Sequence, residues 1–438
     1  MAQEIPDTPV GRQISWALDI LDGKTKPDRD DLLERFAPEM LRQVPVDQLL
    51  AVLEQVGPMV RPFSLERFDN PPTEAQAVAV LARGDGDYFR LMAQVDPKPP
   101  HRIQGMLIQP APDLRKEPVA KNWGEVESKV RELAKQVSFL AAEVVSGELV
   151  PIHEVEPDTH LALGSTFKLY VLGELARRVE AGEAAWDDEL PIQAKLKSIP
   201  SGTMQDAKAG TKFPLREYAE KMISISDNTA TDHLLHHLGR ERVEDVQAAM
   251  GHSDPSLNVP FLTTREMTVL KAGADPRIDS FIAAEPEARR KMLAGPLAKA
   301  KLPKIPDEMW TSPRHNDTVE WFASASDLGR AMAWLRDCMS RPATKPVEKV
   351  LSLNPGLPLD RYAWTYIGFK GGSEPGVLNM TWLLRRLDDR WFVLTATLND
   401  DGTSAATFEL GALMLASSAL LVMHRKAPGK RKLLGRRR

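Results

Sequence analysis

The chain has 438 residues, 42% of them hydrophobic and 27% charged, with Cys338 its single cysteine. That length suits about two to four globular domains, and one thiol excludes an intrachain disulfide scaffold. The net charge of −4 hides an asymmetry: residues 424–438 carry eight basic residues and no acid, which leaves the remainder near −12. So acidic a body excludes a general nucleic-acid binder, whose footprint would be a basic face on the folded domain.

Residues 1–13 hold no basic segment followed by an apolar run, so a cytoplasmic location is expected. Over 7–56 the spacing of Ile14, Ala17, Leu18 and Leu21, and then of Leu32, Leu33, Phe36, Met40 and Leu41, predicts helices. Strands are predicted at 63–68, 75–82, 88–95 and 103–109, with Gly84-Asp85-Gly86-Asp87 as a hairpin turn. Helices followed by an antiparallel meander predict a small α+β domain over 1–113, closed by the proline-rich Pro110-Ala111-Pro112. This order resembles the cone-shaped folds of the nuclear-transport-factor and steroid-isomerase type, which implies an isomerase- or cyclase-like scaffold. The domain carries no catalytic set, so a capping, orienting or dimerising role is expected of it.

A second domain is predicted over 114–424. It opens with a helix at 124–136, whose Val126, Val130, Leu133 and Val137 share a face, followed by a hairpin of 138–145 with 149–155 around Ser146-Gly147. Helices occupy much of 165–340; strands return at 362–370, 377–387 and 391–399, before a last helix at 404–423. Strands at both ends around a helical block predict an α+β domain: one antiparallel sheet assembled from distant segments, with helices on its faces. The longest apolar run, 411–423, is 13 residues, short of the roughly 20 that span a bilayer. The basic tail 425–438 is either a solvated terminus or a weak contact for acidic lipid.

Three short motifs follow one another in the second domain: Ser165-Thr166-Phe167-Lys168, Ser226-Asp227-Asn228 and Lys370-Gly371-Gly372-Ser373. Each alone is common. A helix beginning near Ser165 would put Lys168 one turn on, its amine within reach of the Ser165 hydroxyl, a geometry suited to a nucleophile and its base. A lysine accepts a proton at neutral pH only where burial or another cation lowers its pKa, and Lys370 in the same site would be that cation. Ser165 at a helix N-terminus would also place free N–H groups beside an attacked carbonyl.

Together the motifs resemble those of the penicilloyl serine transferases, and within them the class A β-lactamases. The likeness continues through Ser201-Gly202-Thr203-Met204, Leu215-Arg216-Glu217-Tyr218-Ala219 and the run from Met222 to Thr231. It implies an acyl-enzyme hydrolase that needs no metal and no organic cofactor and acts on a small β-lactam or ester substrate. Carried over by position, Ser165 would be acylated, Lys168 would activate it and Ser226 would pass the proton to the leaving group. Asn228 would bind a substrate amide, Lys370 a carboxylate, and the N–H groups of Ser165 and Ser373 would form the oxyanion hole. Phe369, Gly371 and Gly372 would complete the substrate-binding wall.

The chain also departs from that pattern. The family's deacylating glutamate stands in Glu-Pro-x-Leu-Asn; the counterpart taken here is Asp254-Pro255-Ser256-Leu257-Asn258, whose acid is one methylene shorter and either positions the water or serves a turn. Gly371 replaces a hydroxyl residue, residues 270–322 hold most of an insertion of about forty residues, and neither Arg385 nor Arg386 matches the carboxylate-binding arginine. These features most resemble the serine-hydrolase-like proteins of clavulanic acid biosynthetic clusters, which implies an esterase or β-lactam-recognising enzyme with weak or no true β-lactamase activity. A β-lactamase or penicillin-binding hydrolase and a non-catalytic β-lactam binder are the alternatives. His233, His236 and His237 lack a further metal ligand and are expected on a partly exposed helix face, and Cys338 in the core.

Overall fold

The computed structural model describes residues 4–44, 46–84, 86–111, 114–115, 118–272, 277–302, 312–402 and 406–425. The chain divides into two compact units, Met1–Pro118 and Val119–Arg438. The basic residues beyond Arg425, Asp85 of the hairpin turn, and Pro276, Pro303 and Pro306 of the insertion lie outside the described residues.

In the first unit four helices precede four strands: α1 (Pro9–Asp22), α2 (Arg29–Arg35), α3 (Pro38–Gln43) and α4 (Val46–Val60), then β1 (Phe63–Phe68), β2 (Gln76–Arg83), β3 (Tyr88–Val95) and β4 (Ile103–Pro110). The Thr8 hydroxyl accepts from Gly11 N to start α1, and Gly23, at φ +80°, ends it in the left-handed conformation that glycine tolerates. Val10, Ile14, Ala17 and Leu21 recur on one face of α1 and are buried. The strands form an antiparallel meander in the order β1-β2-β3-β4.

The second unit begins with α5 (Trp123–Leu133). It ends sooner than the apolar spacing predicts because Ala134 is already extended and the chain enters β5 (Gln136–Val145). There follow β6 (Glu148–Val155), β7 (Leu161–Ala162), α6 (Lys168–Glu180), β8 (Glu189–Pro191), β9 (Lys212–Pro214), α7 (Leu215–Ser224), α8 (Asn228–Leu238), α9 (Arg240–Ala249), α10 (Thr264–Ala272), α11 (Ile278–Ile282) and α12 (Pro286–Met292). Last come β10 (Phe322–Ala323), α13 (Ala325–Met339), α14 (Pro346–Ser352), β11 (Trp364–Glu374), β12 (Val377–Arg386), β13 (Trp391–Asn399) and α15 (Thr407–Met423).

Five of these strands make one antiparallel sheet in the order β11-β12-β13-β5-β6, so the two chain ends meet at the β13–β5 pairing. Alternate residues of each strand face opposite sides and feed two cores. Phe139, Trp364, Trp382 and Phe392 pack with Val126 of α5 and Leu413 of α15. On the other side Leu383 and Val393 join the helical block, with Tyr170, Leu234, Trp321 and Leu335. Cys338 lies in this second core, and burial raises its thiol to about 11. No helix among the described residues is long and apolar enough to cross a membrane.

Candidate active site

The three motifs converge where the helical block meets the edge of the sheet. Ser165 lies in a 3-10 turn, Gly164–Phe167, which runs into α6. In such a turn residues three apart eclipse each other, and Lys168 Nζ accordingly sits 3.1 Å from Ser165 Oγ. The turn starts at Gly164, whose φ of +52° and 2.8 Å approach of a would-be Cβ to Ser373 N both require glycine. Beneath it Phe167 stacks on Trp321 with centroids 3.7 Å apart and meets the Phe261 ring edge-on at 5.7 Å.

The Ser-Asp-Asn turn joins α7 to α8. Asp227 caps α8 by accepting from Ala230 N at 2.8 Å, and its other oxygen accepts from Thr203 N and Met204 N at 2.6 and 2.8 Å. The capping residue thereby ties the Ser201–Met204 segment to the site. Ser226 is held at φ +57°, a left-handed conformation unfavourable for a residue with a Cβ. Its hydroxyl lies 3.0 Å from Lys168 Nζ and 3.2 Å from Lys370 Nζ. Asn228 Oδ1 accepts from Lys168 Nζ at 2.6 Å, and its amide donates to Ile199 O at 2.8 Å.

Lys168 is fully buried and Lys370 nearly so. Burial drives the Lys168 amine well below its ordinary value, and the neighbouring Lys370 lowers it further against the opposing pull of Asp232 and Asp227. Burial lowers Lys370 to about 7. Both amines meet at the Ser226 hydroxyl, and Lys168 also reaches Ser165.

Lys370, Gly371, Gly372 and Ser373 form the end of β11, with Phe369 half-buried beside them and tilted on Trp382 at 4.7 Å. A Cβ on Gly372 would stand 2.5 Å from Ser165 N and 2.1 Å from Leu163 O, so glycine lets the strand press against the nucleophile's turn. At Gly371 a Cβ would meet Phe369 Cζ at 2.8 Å and Asn379 O at 3.1 Å, so a side chain there would have to displace the phenyl ring. Ser165, Ser226, Asn228 and residues 369–373 line one cleft of about 720 Å³, with Ile225, Met267, Trp321 and Met380 as apolar walls.

Asp254 does not line that cleft. Its carboxylate accepts from Ser256 N at 3.2 Å and Ser256 Oγ at 2.5 Å, capping the short turn Pro255–Asn258 and leaving it a turn residue rather than a holder of water. A second run, Val259-Pro260-Phe261-Leu262-Thr263, repeats the Pro-x-Leu spacing with valine in the acid's place. This run lies under the nucleophile: Phe261 contacts Phe167, and Trp321 Nε1 donates to Leu262 O at 3.1 Å.

Arg385 and Arg386 stay outside the cleft. The first donates to Thr365 Oγ1, while the second binds Asp388 and the carbonyls of Leu421 and His424 at the end of α15. His233 is buried rather than on an exposed face, accepting from Gln193 N at 2.8 Å with its other nitrogen 2.7 Å from Thr229 O; His236 and His237 are exposed. A cluster that sequence spacing does not reveal, His160, His252 and Asp327, brings three ligand-type atoms within 4.8 Å of one another. Hydrogen bonds already engage them. His252 pairs with Phe322 O and Asp254 N, and Asp327 accepts from Ser324 N, Ser253 N and Arg330, a network that caps α13.

Comparison with known proteins places this site in a family. The model of the β-lactamase enzyme family matches residues 124–353, and one described as ORF 12 gene product N-terminal matches residues 5–98. A β-lactamase of Rhodobacter capsulatus is 29% identical over 150 residues, which are 33% of this chain and 50% of that protein; the chain spans half the length of this curated relative. Among solved structures, a β-lactamase from Sphaerobacter thermophilus aligns at 21% identity over 68% of this chain and 96% of its own, with a TM-score of 0.48. One from Chitinophaga pinensis aligns at 14% over 68% and 98%, with a TM-score of 0.46. Because the family model covers more than half of the chain, including the turn of Ser165 and Lys168 and the Ser-Asp-Asn segment, the chain belongs to the β-lactamase enzyme family.

Proposed function

We propose that the protein is a serine hydrolase that works through an acyl-enzyme on Ser165, acting as an esterase on β-lactam-like substrates of clavam or cephalosporin type. The observation that carries this reading is the buried Lys168 amine, 3.1 Å from Ser165 Oγ and 3.0 Å from Ser226 Oγ. Lys168, whose affinity for a proton burial lowers, takes the Ser165 proton as Oγ attacks the carbonyl carbon, and Ser226 relays it to the departing oxygen or nitrogen. Lys370 and Asn228 hold the substrate's carboxylate and amide, and the N–H groups of Ser165 and Ser373 receive the oxyanion.

Substrate choice follows from what the loop lacks. With Val259 at the acid's place and Asp254 turned to its own backbone, the amide-derived acyl-enzyme of a β-lactam would persist, whereas an ester needs less protonation of its leaving group. The link to clavam metabolism rests on the sequence resemblance around residues 369–373 and on this loop. We likewise assign the N-terminal unit to the cone-shaped class on the order of its elements.

The test is to mix the protein with a chromogenic cephalosporin bearing an acetoxy group and to follow intact mass together with product. A single adduct, absent in Ser165→Ala, with acetate release and a retained ring supports the esterase reading. Rapid ring opening would make the protein a β-lactamase. An adduct that never turns over would make it a binder, and no adduct at all would refute nucleophilic catalysis.

A further inference from the structure

Lys271, Glu320 and Glu374 form a buried charge cluster that belongs to none of the three motifs. Lys271 comes from α10, Glu320 from the segment before β10, and Glu374 closes β11; the first two side chains are fully buried and the third is 7% exposed. Lys271 Nζ bonds Glu374 Oε1 and lies 3.1 Å from Asn316 Oδ1 and 3.4 Å from Glu320 Oε1. Glu320 Oε2 accepts from Trp321 N at 3.0 Å and from Gly164 N at 3.3 Å, which anchors it to the residue preceding the nucleophile.

Two carboxylates facing one ammonium favour holding a single proton between them, because a second buried negative charge would lack a cation. Glu320 has backbone donors on one oxygen and Lys271 on the other. Among the described residues Glu374 accepts from Lys271, and its carboxyl lies within hydrogen-bonding reach of Glu320. Burial first, and then the charge of Glu320, raise Glu374 to about 9.

Three observations bring Glu374 to the cleft that Ser165 lines. Residues 370, 372 and 374 share one face of β11, and Gly372 is where the strand abuts Ser165 N. Glu374 follows about 6.6 Å farther along that face, on the opposite side of Gly372 from Lys370. It is the one acid among the described residues that line the cleft. The loop that would supply the family's glutamate offers only Val259.

We propose that Glu374 is the general base of deacylation, in place of that missing glutamate. This rests on the acyl-enzyme reading above. Water's oxygen bonds to the acyl carbon as one of its protons passes to the Glu374 carboxylate. The bond from carbon to Ser165 Oγ then breaks, the same proton returns to Oγ, and the product acid leaves with the remaining water proton, which it releases to solvent. Glu374 must be ionised to act, so turnover is slow at neutral pH and climbs on the alkaline side.

The experiment compares wild type with Glu374→Gln and Glu374→Asp, using a chromogenic cephalosporin, stopped-flow detection and intact mass from pH 6 to 10. Glu374→Gln is expected to acylate within about threefold of wild type, to accumulate one adduct per chain and to deacylate roughly 10²-fold more slowly. It should also lose the alkaline rise, part of which Glu374→Asp restores. Wild-type deacylation in Glu374→Gln, or an unchanged pH profile, would overturn the proposal. Loss of acylation as well would do the same, by assigning Glu374 to the architecture of the site. Failure of the underlying reading looks different: wild type itself would carry no adduct on Ser165.

Discussion

Adding a single methyl group at Gly372 tests whether the closeness of β11 to the nucleophile's turn sets the rate. A Cβ there would stand 2.1 Å from Leu163 O, 2.5 Å from Ser165 N and 2.7 Å from Thr166 N, all backbone atoms that no rotamer change can move aside. An ordinary contact of about 3.4 Å with Leu163 O requires the strand and the turn to part by about 1.3 Å. β11 is at the edge of the sheet, paired only with β12, so it can give way without unravelling the core. Overpacking of this kind costs about 1–3 kcal/mol of stability. A displacement of about 1 Å at reacting atoms costs roughly 10²-fold in rate, since Ser373 N and Lys370 travel with the strand while Ser165 N stays with the turn. Gly372→Ala should therefore fold with a modestly lowered Tm and acylate about a hundredfold more slowly, measured as the second-order rate of adduct formation with a chromogenic cephalosporin. Acylation within threefold of wild type, at an unchanged Tm, would refute the reasoning.

Other perturbations follow from the same geometry. Trp321→Ala removes the ring stacked on Phe167 beneath Ser165 and should lower stability by about 3–5 kcal/mol, read from urea unfolding. Asp254→Ala should leave deacylation of any ester within twofold of wild type, because its carboxylate serves the turn at Ser256; a tenfold slowing would return it to the site. Asp232, on α8, is buried against the start of α10, where it accepts from Thr264 N and Arg265 N, and burial raises it from 3.8 to about 7. A carboxyl raised on folding contributes stability that is complete below its unfolded pKa and is lost as pH climbs through the folded one. Unfolding titrations between pH 3.5 and 8 should show that loss in wild type, and a flatter curve in Asp232→Asn.

The sequence alone determined the strands of both units closely. Short runs of strand-forming residues bounded by turn residues mark 63–68, 88–95 and 391–399 to the residue, because that punctuation is local whatever the strand's partner. The resemblance of its three motifs also singled out Ser165, Lys168, Ser226, Asn228 and Lys370, which the fold brings to one cleft. Helix ends were less legible: a 3-10 turn carries Ser165 where a helix start was expected, and α5 stops early because the chain must enter the sheet. What only the tertiary structure decided concerns groups far apart in the chain. Whether Asp254 reaches the nucleophile, and that Lys271, Glu320 and Glu374 meet, depend on pairings across some fifty to a hundred residues. Local pattern records which face of an element is apolar; the electrostatics of a buried site are set by which elements the fold then brings into contact.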